Sequence, residues 1–276
     1  GAHLGHGGTV ENGCVRCPFH GLEFDRDGAC AGGRLYAPRG ARSLRTGAWT
    51  AREAAACIFL WHGPDRARPA WSFPLDTLDW EGWSRPITNA GRPLPTTNLF
   101  FPTENIIDMT HFVNVHRWQL HEVVVPPPVT AEGFMKARIR VTWVLAAQSE
   151  VALVRWLGKR ITSPFEVQFV IKEPGIAVAT TELTEEQGGL NVRSVILITP
   201  VSEVDCHIRA AMSVRDPSPG RVRAAVRERV GLGLPEVLAP IFLAVGTSDF
   251  TRDALIWSHR THLERRRPVH LVHQPR

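Results

Sequence analysis

Lysine is scarce in this chain: only Lys136, Lys159 and Lys172 carry it, so the 32 basic side chains are almost all arginine, set against 27 acidic ones. No stretch interleaves basic with aromatic residues, apart from the bare run Arg265, Arg266 and Arg267 near the end. A net charge of +5 then reads as a solvated surface, and nucleic acid is excluded as a partner. Long apolar runs are missing as well. The longest, residues 54–61 and 237–245, fall far short of the roughly 18 residues of a membrane-spanning helix, so no crossing of a bilayer is expected. Cysteines number five, an odd count at irregular spacing, and no secretory leader precedes them. That excludes a disulfide framework and reads as reduced thiols in a cytoplasmic protein. The chain opens on Gly1-Ala2 rather than Met, inside what reads as a motif. A truncated front is therefore expected, with an upstream membrane anchor left open.

What remains is ordinary globular material, 43% hydrophobic and 21% charged in 276 residues, which rules out a disordered tail or a coiled coil and suits one large or two moderate domains. Residues 1–66 are Gly-rich, with small apolar clusters between turn residues, and read as a small all-β unit. A Pro- and Trp-rich connector over 64–95 forbids long helix or central strand. Residues 104–116 lack interior Pro and Gly and space Ile106, Ile107, Met109, Phe112 and Val113 as a helix does. Strands are expected over 137–144, 151–157, 165–171, 176–183, 190–199 and 206–214. The alternation of Arg138, Arg140 and Thr142 with Ile139, Val141 and Trp143 predicts a sheet with one wet face. Turns fall at Glu173-Pro174-Gly175 and Gln187-Gly188-Gly189. Helices are expected over 220–230 and 235–259, the second interrupted near Gly246-Thr247-Ser248. A block of strands closed by helices is an α+β pattern.

Two constellations carry chemistry. Cys17-Pro18-Phe19-His20-Gly21 sets a thiol and an imidazole three residues apart on a turn, half of a metal site. Cys14 and Cys17 form a C-x-x-C that no second pair closes into a zinc site. In the second half of the pattern, Glu104, Asp108, His111 and His116 spell E-x3-D-x2-H-x4-H. Asp108 and His111 share a helix face, so the carboxylate can reach the imidazole. His116 stands five residues beyond His111, about 140° around an ideal helix, so both can meet one metal only if the helix ends or bends between them. The third ligand is placed at Asp253, with Asp249 as its rival; position alone does not choose. Two imidazoles and a carboxylate leave open positions for dioxygen and substrate on a ferrous ion. The plainer alternative is an amphipathic helix with its polar residues in water and a capping carboxylate. An apolar pocket is expected among Trp143, Phe165, Phe169, Val195, Leu197, Phe242 and Phe250.

Gly1-Ala2-His3-Leu4-Gly5-His6-Gly7-Gly8, followed by Cys17-Pro18-Phe19-His20-Gly21, resembles the centre of a Rieske domain, whose [2Fe-2S] cluster is held by a C-x-H pair and then a C-x-x-H pair. The resemblance makes Cys17 and His20 cluster ligands, one to each iron, with the C-x-H pair just upstream of Gly1. Imidazole ligation raises the potential of such a cluster. With the E-x3-D-x2-H-x4-H motif and the distant Asp253, the chain is similar to the catalytic subunit of Rieske non-haem iron oxygenases. Glu104-Asn105-Ile106-Ile107-Asp108 through His111-Phe112, and Asp253-Ala254-Leu255-Ile256-Trp257, look most like the sterol and steroid branch, which holds cholesterol 7-desaturases and 3-ketosteroid 9α-hydroxylases.

The resemblance implies an incomplete all-β Rieske domain over 1–66 and a helix-grip catalytic domain over 67–276, with a large antiparallel sheet under a long C-terminal helix. It implies Fe(II) on His111, His116 and Asp253, and Asp108 bridging His111 to a cluster histidine. Electrons would come from a ferredoxin or an NAD(P)H-dependent reductase, and the assembly would be a homotrimer. Dioxygen would hydroxylate or desaturate an apolar, steroid-like substrate. The alternatives are an aromatic substrate, or an electron-transfer or lipid-binding protein without oxygenase chemistry.

Overall fold

In the computed structural model, residues 2–33, 43–63, 67–69, 72–95, 97–125, 135–142, 164–184 and 189–260 are described. The chain divides into two units, one of residues 1–53 and 58–72, the other of residues 54–57 and 73–276. The second unit resumes at Phe73, and the turn at 54–57 counts with it.

The first unit is built from short strands, β1 (Thr9–Glu11), β2 (Cys14–Arg16), β3 (Leu22–Phe24) and β4 (Cys30–Gly33), paired in sequence order as an antiparallel meander. Asn12 and Gly13 close the first hairpin with φ of 51° and 78°, the left-handed pair that a two-residue turn demands and that Asn-Gly adopts readily. Strands β5 (Ala51–Ala54) and β6 (Cys57–Leu60) form a separate ribbon.

The second unit rests on eight described strands. Their order is β7 (Ile87–Thr88), β14 (Cys206–Arg215), β13 (Asn191–Pro200), β12 (Ile176–Glu182), β11 (Phe165–Glu173), β10 (Met135–Thr142) and β9 (Gln119–Val124), with β8 (Arg92–Leu94) also on β14. Every pairing is antiparallel. At the turn between β11 and β12, Gly175 has φ of 84°, and a Cβ there would sit 2.5 Å from the carbonyl oxygen of Ile198. Only glycine fits. The connector strands β7 and β8 stay at the sheet margin, as Pro93 requires. The strand expected over 151–157, Trp143, Gln187-Gly188 and the Arg265, Arg266, Arg267 run lie outside the described residues.

Helices frame the sheet: α1 (Phe100–Asn105) and α2 (Met109–Asn114) between β8 and β9, α3 (Arg221–Val230) and α4 (Leu234–Trp257) after β14. The α4 helix packs on β14. Among the described residues no single helix is long and apolar enough to cross a membrane, although α3 and α4, bent by 87° at their junction, pass together by length and composition. The core between helices and sheet includes Ile139, Val167, Phe169, Ile196, Ile208 and Trp257, each fully buried side chain stabilising the fold by roughly 1.5–3 kcal/mol.

Two expectations are corrected. The wet face holds on β10, where Arg138 and Arg140 are exposed between buried Ala137, Ile139 and Val141, but β14 is buried on both faces from Ala210 to Val214. The reason is that the connector folds back on the second face: Ser213 donates to the carbonyl of Ser84 (2.6 Å), and Lys172 Nζ donates to Thr77 Oγ1 (2.9 Å). Nor is α4 interrupted at Gly246-Thr247-Ser248. Thr247 donates to the carbonyl of Leu243 (2.7 Å) and accepts from Asn89 Nδ2 (3.2 Å), and this anchoring outweighs the ~1 kcal/mol that one helical glycine costs.

Candidate metal centre and its cavity

The single helix expected over 104–116 is two helices. Asp108 leaves helical geometry (φ −79°, ψ 97°) and its side chain accepts from Thr110 N at 2.9 Å, capping α2. A carboxylate that satisfies a free N–H at a helix start is worth more there than inside a helix. The α2 helix then ends at Asn114, before His116, and Arg117 turns the chain away with φ of 54°. This is the break that two histidines five apart need if both are to face one point. Their rings meet edge-on, centroids 5.1 Å apart.

Asp253 arrives from α4. Its ligand oxygen and one nitrogen each of His111 and His116 all lie within 4.8 Å of one another, the only such group of three among the described residues. All three side chains are buried, with His116 exposed by 2% and Asp253 by 4%. His116 Nε2 lies 3.2 Å from Asp253 Oδ1. His116 Nδ1 and Asp253 Oδ1 are nevertheless buried without a hydrogen-bond partner. Unpaired buried polar atoms are costly, and the Asp253 oxygen lies on the Nε2 side of His116, whereas Nδ1 faces Asp249. Two imidazoles and a carboxylate are the donor set that suits ferrous iron with open positions. The residues fit a mononuclear iron.

His111 is oriented from behind. Its Nδ1 meets the backbone carbonyl of Asp108 at 2.5 Å, so Nδ1 carries the proton and Nε2 is the free ligand atom. Burial lowers the His111 pKa below the ordinary histidine value, against the carbonyl contact and Asp253, which raise it. The neutral ring that a metal needs is thereby favoured. The carboxylate of Asp108 is not on His111, contrary to the spacing argument: it holds Thr110, at 2.5 Å from Thr110 Oγ1, and is exposed. The first acid of the motif also turns outward, Glu104 Oε2 pairing with Arg260 Nη2 at 3.1 Å.

Asp249 sits one turn before Asp253 on the same face of α4. Its Oδ1 is 4.0 Å from His116 Nδ1, and it stands outside the group of three. Burial pushes its carboxyl up to about 6, His116 and Arg252 opposing the shift and Asp253 adding to it.

The three residues open onto an apolar cavity between α4 and the sheet, lined in part by Phe165, Phe169, Phe242 and Phe250. Val195 and Leu197, expected there, are buried on the opposite face, and Val192, Ser194 and Ile196 take their place. Strand register gives the reason. Phe169 pairs with Ala179, Ala179 with Ser194 and Ser194 with Met212, so a single row across four strands lines the cavity. A one-residue change of parity moves every side chain to the other face. Phe112 stacks between Trp118 (4.8 Å) and Phe169 (5.2 Å) beside the histidines.

In the first unit, Cys17 and His20 share one turn, closed by Gly21 N donating to the Cys17 carbonyl at 3.0 Å. Cys17 is a half-buried free thiol and His20 is exposed. Gly7 brings the 3–8 loop against Pro18: a Cβ on it would lie 3.3 Å from Pro18 Cβ. Among the described residues, no group of three or more candidate ligands includes Cys17 or His20. These two residues alone do not fit a whole [2Fe-2S] cluster, which takes four ligands.

Residues 60–270 match the 3-ketosteroid 9α-hydroxylase C-terminal domain, and residues 1–43 match the Rieske [2Fe-2S] domain. The chain is 39% identical over 74 residues to a cholesterol 7-desaturase of Ciona intestinalis, covering 27% of this chain and 16% of that one. It is 25% identical over 267 residues to a 3-ketosteroid-9-alpha-monooxygenase oxygenase component of Rhodococcus rhodochrous, covering 93% and 61%. The chain therefore spans less than two-thirds of either relative. Apo dicamba monooxygenase shares the fold, with a TM-score of 0.56 over 98% of this chain and 77% of that one at 20% identity.

Proposed function

Since the chain belongs to the Rieske non-haem iron oxygenases, in the family of the 3-ketosteroid 9α-hydroxylase C-terminal domain, we propose that it is an oxygenase component that hydroxylates or desaturates an apolar, steroid-like substrate. One observation carries the reading: three buried ligand side chains converge beside an apolar cavity, with two of their polar atoms left unpaired. The names of the related desaturase and monooxygenase components support a steroid-like substrate class.

In this reading His111, His116 and Asp253 hold Fe(II), which supplies dioxygen activation when bound. Everything else falls to the chain itself. The Asp108 carbonyl keeps the proton on His111 Nδ1 and so presents Nε2 to the metal. Phe112, Phe169 and Phe250 exclude water and give an apolar ligand a surface to bury. The row Ala179, Ser194 and Met212 forms the floor on which such a ligand lies, and the small side chains at its centre leave the room. Cys17 and His20 are assigned as half of a cluster site. Electrons would come from a ferredoxin or reductase and the oxidant would be dioxygen, in an assembly we take to be a homotrimer. The exposed Asp108 carboxylate is assigned to couple the metal ligand to a neighbouring group, while its backbone carbonyl orients His111.

The test is incubation with Fe(II), an electron donor, dioxygen and a panel of sterols and steroid ketones, with products read by mass spectrometry. A product one oxygen heavier, or two hydrogens lighter, is expected. No oxidation of any sterol or steroid by an iron-loaded, reducible preparation would contradict the reading.

A further inference from the structure

The cavity holds four titratable side chains, and the proposed metal site uses three of them. The fourth, Asp249, lies beside His116 Nδ1, at 4.0 Å. His116 is flanked by carboxylates at both edges of its ring: Asp253 Oδ1 is 3.2 Å from Nε2, and Asp249 Oδ1 is 4.0 Å from Nδ1. The two acids come from one helix, four residues apart, so their spacing is set by the α4 backbone. Nε2 is turned toward Asp253, so Nδ1 is the outer nitrogen and would carry the proton once a metal sits on Nε2. It is buried and has no hydrogen-bond partner.

A metal-bound histidine ordinarily donates its second N–H to a carboxylate, carbonyl or water, which fixes the tautomer and the ring plane. His111 has that partner in the Asp108 carbonyl. His116 has no such contact at its present distances. We infer that Asp249 is the positioning residue for His116, closing onto the Nδ1–H when metal draws the ring toward Asp253. The gap to close is the difference between 4.0 Å and a hydrogen bond of about 2.8 Å. Each histidine would then be held from behind by a different device, one backbone carbonyl and one carboxylate. The inference rests on the metal site proposed above, and it makes Asp249 an outer partner of the metal instead of a ligand.

Titration of the metal-free full chain with Co(II), followed by visible absorption, tests it in three variants. Asp249→Asn keeps an acceptor for the N–H, and Asp249→Leu keeps the size without one. Asp249→Ala serves as a second acceptor-free variant should Leu disturb folding. Leu and Ala are expected to weaken Co(II) binding 10–100-fold at unchanged one-to-one stoichiometry, and Asn to stay within about threefold of the parent. In ¹⁵N-histidine spectra of the Co(II) form, the slowly exchanging Nδ1–H of His116 should be present in the parent and in Asn, and lost in Leu and Ala. Co(II) binding by Leu and Ala as tight as the parent's would overturn the positioning role alone. Complete loss of binding in Asp249→Ala, with Asp253→Ala still binding, would overturn it by making Asp249 the ligand. A parent chain that takes up no Co(II) would overturn the metal site itself, and the inference with it.

Discussion

Asp253 Oδ1 and His116 Nε2 stand 3.2 Å apart and both are buried, yet Asp253 Oδ1 makes no hydrogen bond. An apolar surrounding normally pairs such groups. A metal between them would supply what the protein withholds, and four consequences can be measured.

Removing a ligand should empty the site. His111→Ala, His116→Ala and Asp253→Ala are each expected to lose iron, by more than the roughly 10–100-fold that an outer partner contributes, while the folded chain persists. Elemental analysis after iron loading and desalting checks this. Full iron in Asp253→Ala would displace it as third ligand.

Asp108 performs two tasks through two different groups, its carboxylate on Thr110 and its carbonyl on His111. Asp108→Ala should lose the helix cap and about 1 kcal/mol of stability, yet keep iron, because the carbonyl remains. Asp108→Asn should keep the cap as well. If the exposed carboxylate couples His111 to a neighbouring group, both variants lose turnover. Normal product formation by an iron-loaded Asp108→Asn would remove the carboxylate from the mechanism.

The Asp249 carboxyl, raised to about 6 by burial, gives the metal-free protein a pH dependence of definite sign. Its folded pKa lies above the usual carboxylate value near 4, so between these values the folded chain binds more protons than the unfolded one. Stability is then highest below pH 4 as far as this group is concerned, and falls as pH rises toward 6 and beyond. Asp249→Asn should remove the fall and stabilise the metal-free protein at pH 7.5 by on the order of 2 kcal/mol. Denaturant unfolding at pH 4.5 and 7.5 checks it; equal effects of the substitution at both values would contradict the assignment.

Parity on β13 separates cavity from core. Ser194→Phe projects into the cavity and should weaken binding of a steroid ketone at least tenfold, with iron retained. Val195→Ala, one residue on and 1% exposed on the other face, should cost roughly 1–3 kcal/mol of stability and leave ligand affinity unchanged. Fluorescence titration alongside thermal melts distinguishes them. Equal loss of affinity in both would mean that the register does not define the pocket.

The sequence pattern carries the strands of the second unit well where alternation is clean, as on β10, because period two is imposed by the backbone itself. It does not announce which face of β13 meets the cavity: residues 195–198 are apolar without alternation, buried on both sides, and only pairing with β12 and β14 sets their direction. The break at Asp108 was open to reading, since Asp-x-Thr is a cap signal as much as a helix interior. The strand Gln119–Val124 and the bond from His111 to a backbone carbonyl had no such signal. Spacing did require a bend between His111 and His116, and the helix ends there. For the choice of Asp253 over Asp249 only the tertiary fold helps, since both lie on one helix face and differ in which edge of His116 they approach.

The most direct test is anomalous diffraction at the iron edge from crystals of the Fe(II)-loaded protein. The account predicts one mononuclear peak bonded to His111, His116 and Asp253, with Asp249 outside the coordination sphere. An iron bound elsewhere in the second unit, or none among these three side chains at full loading, would contradict it.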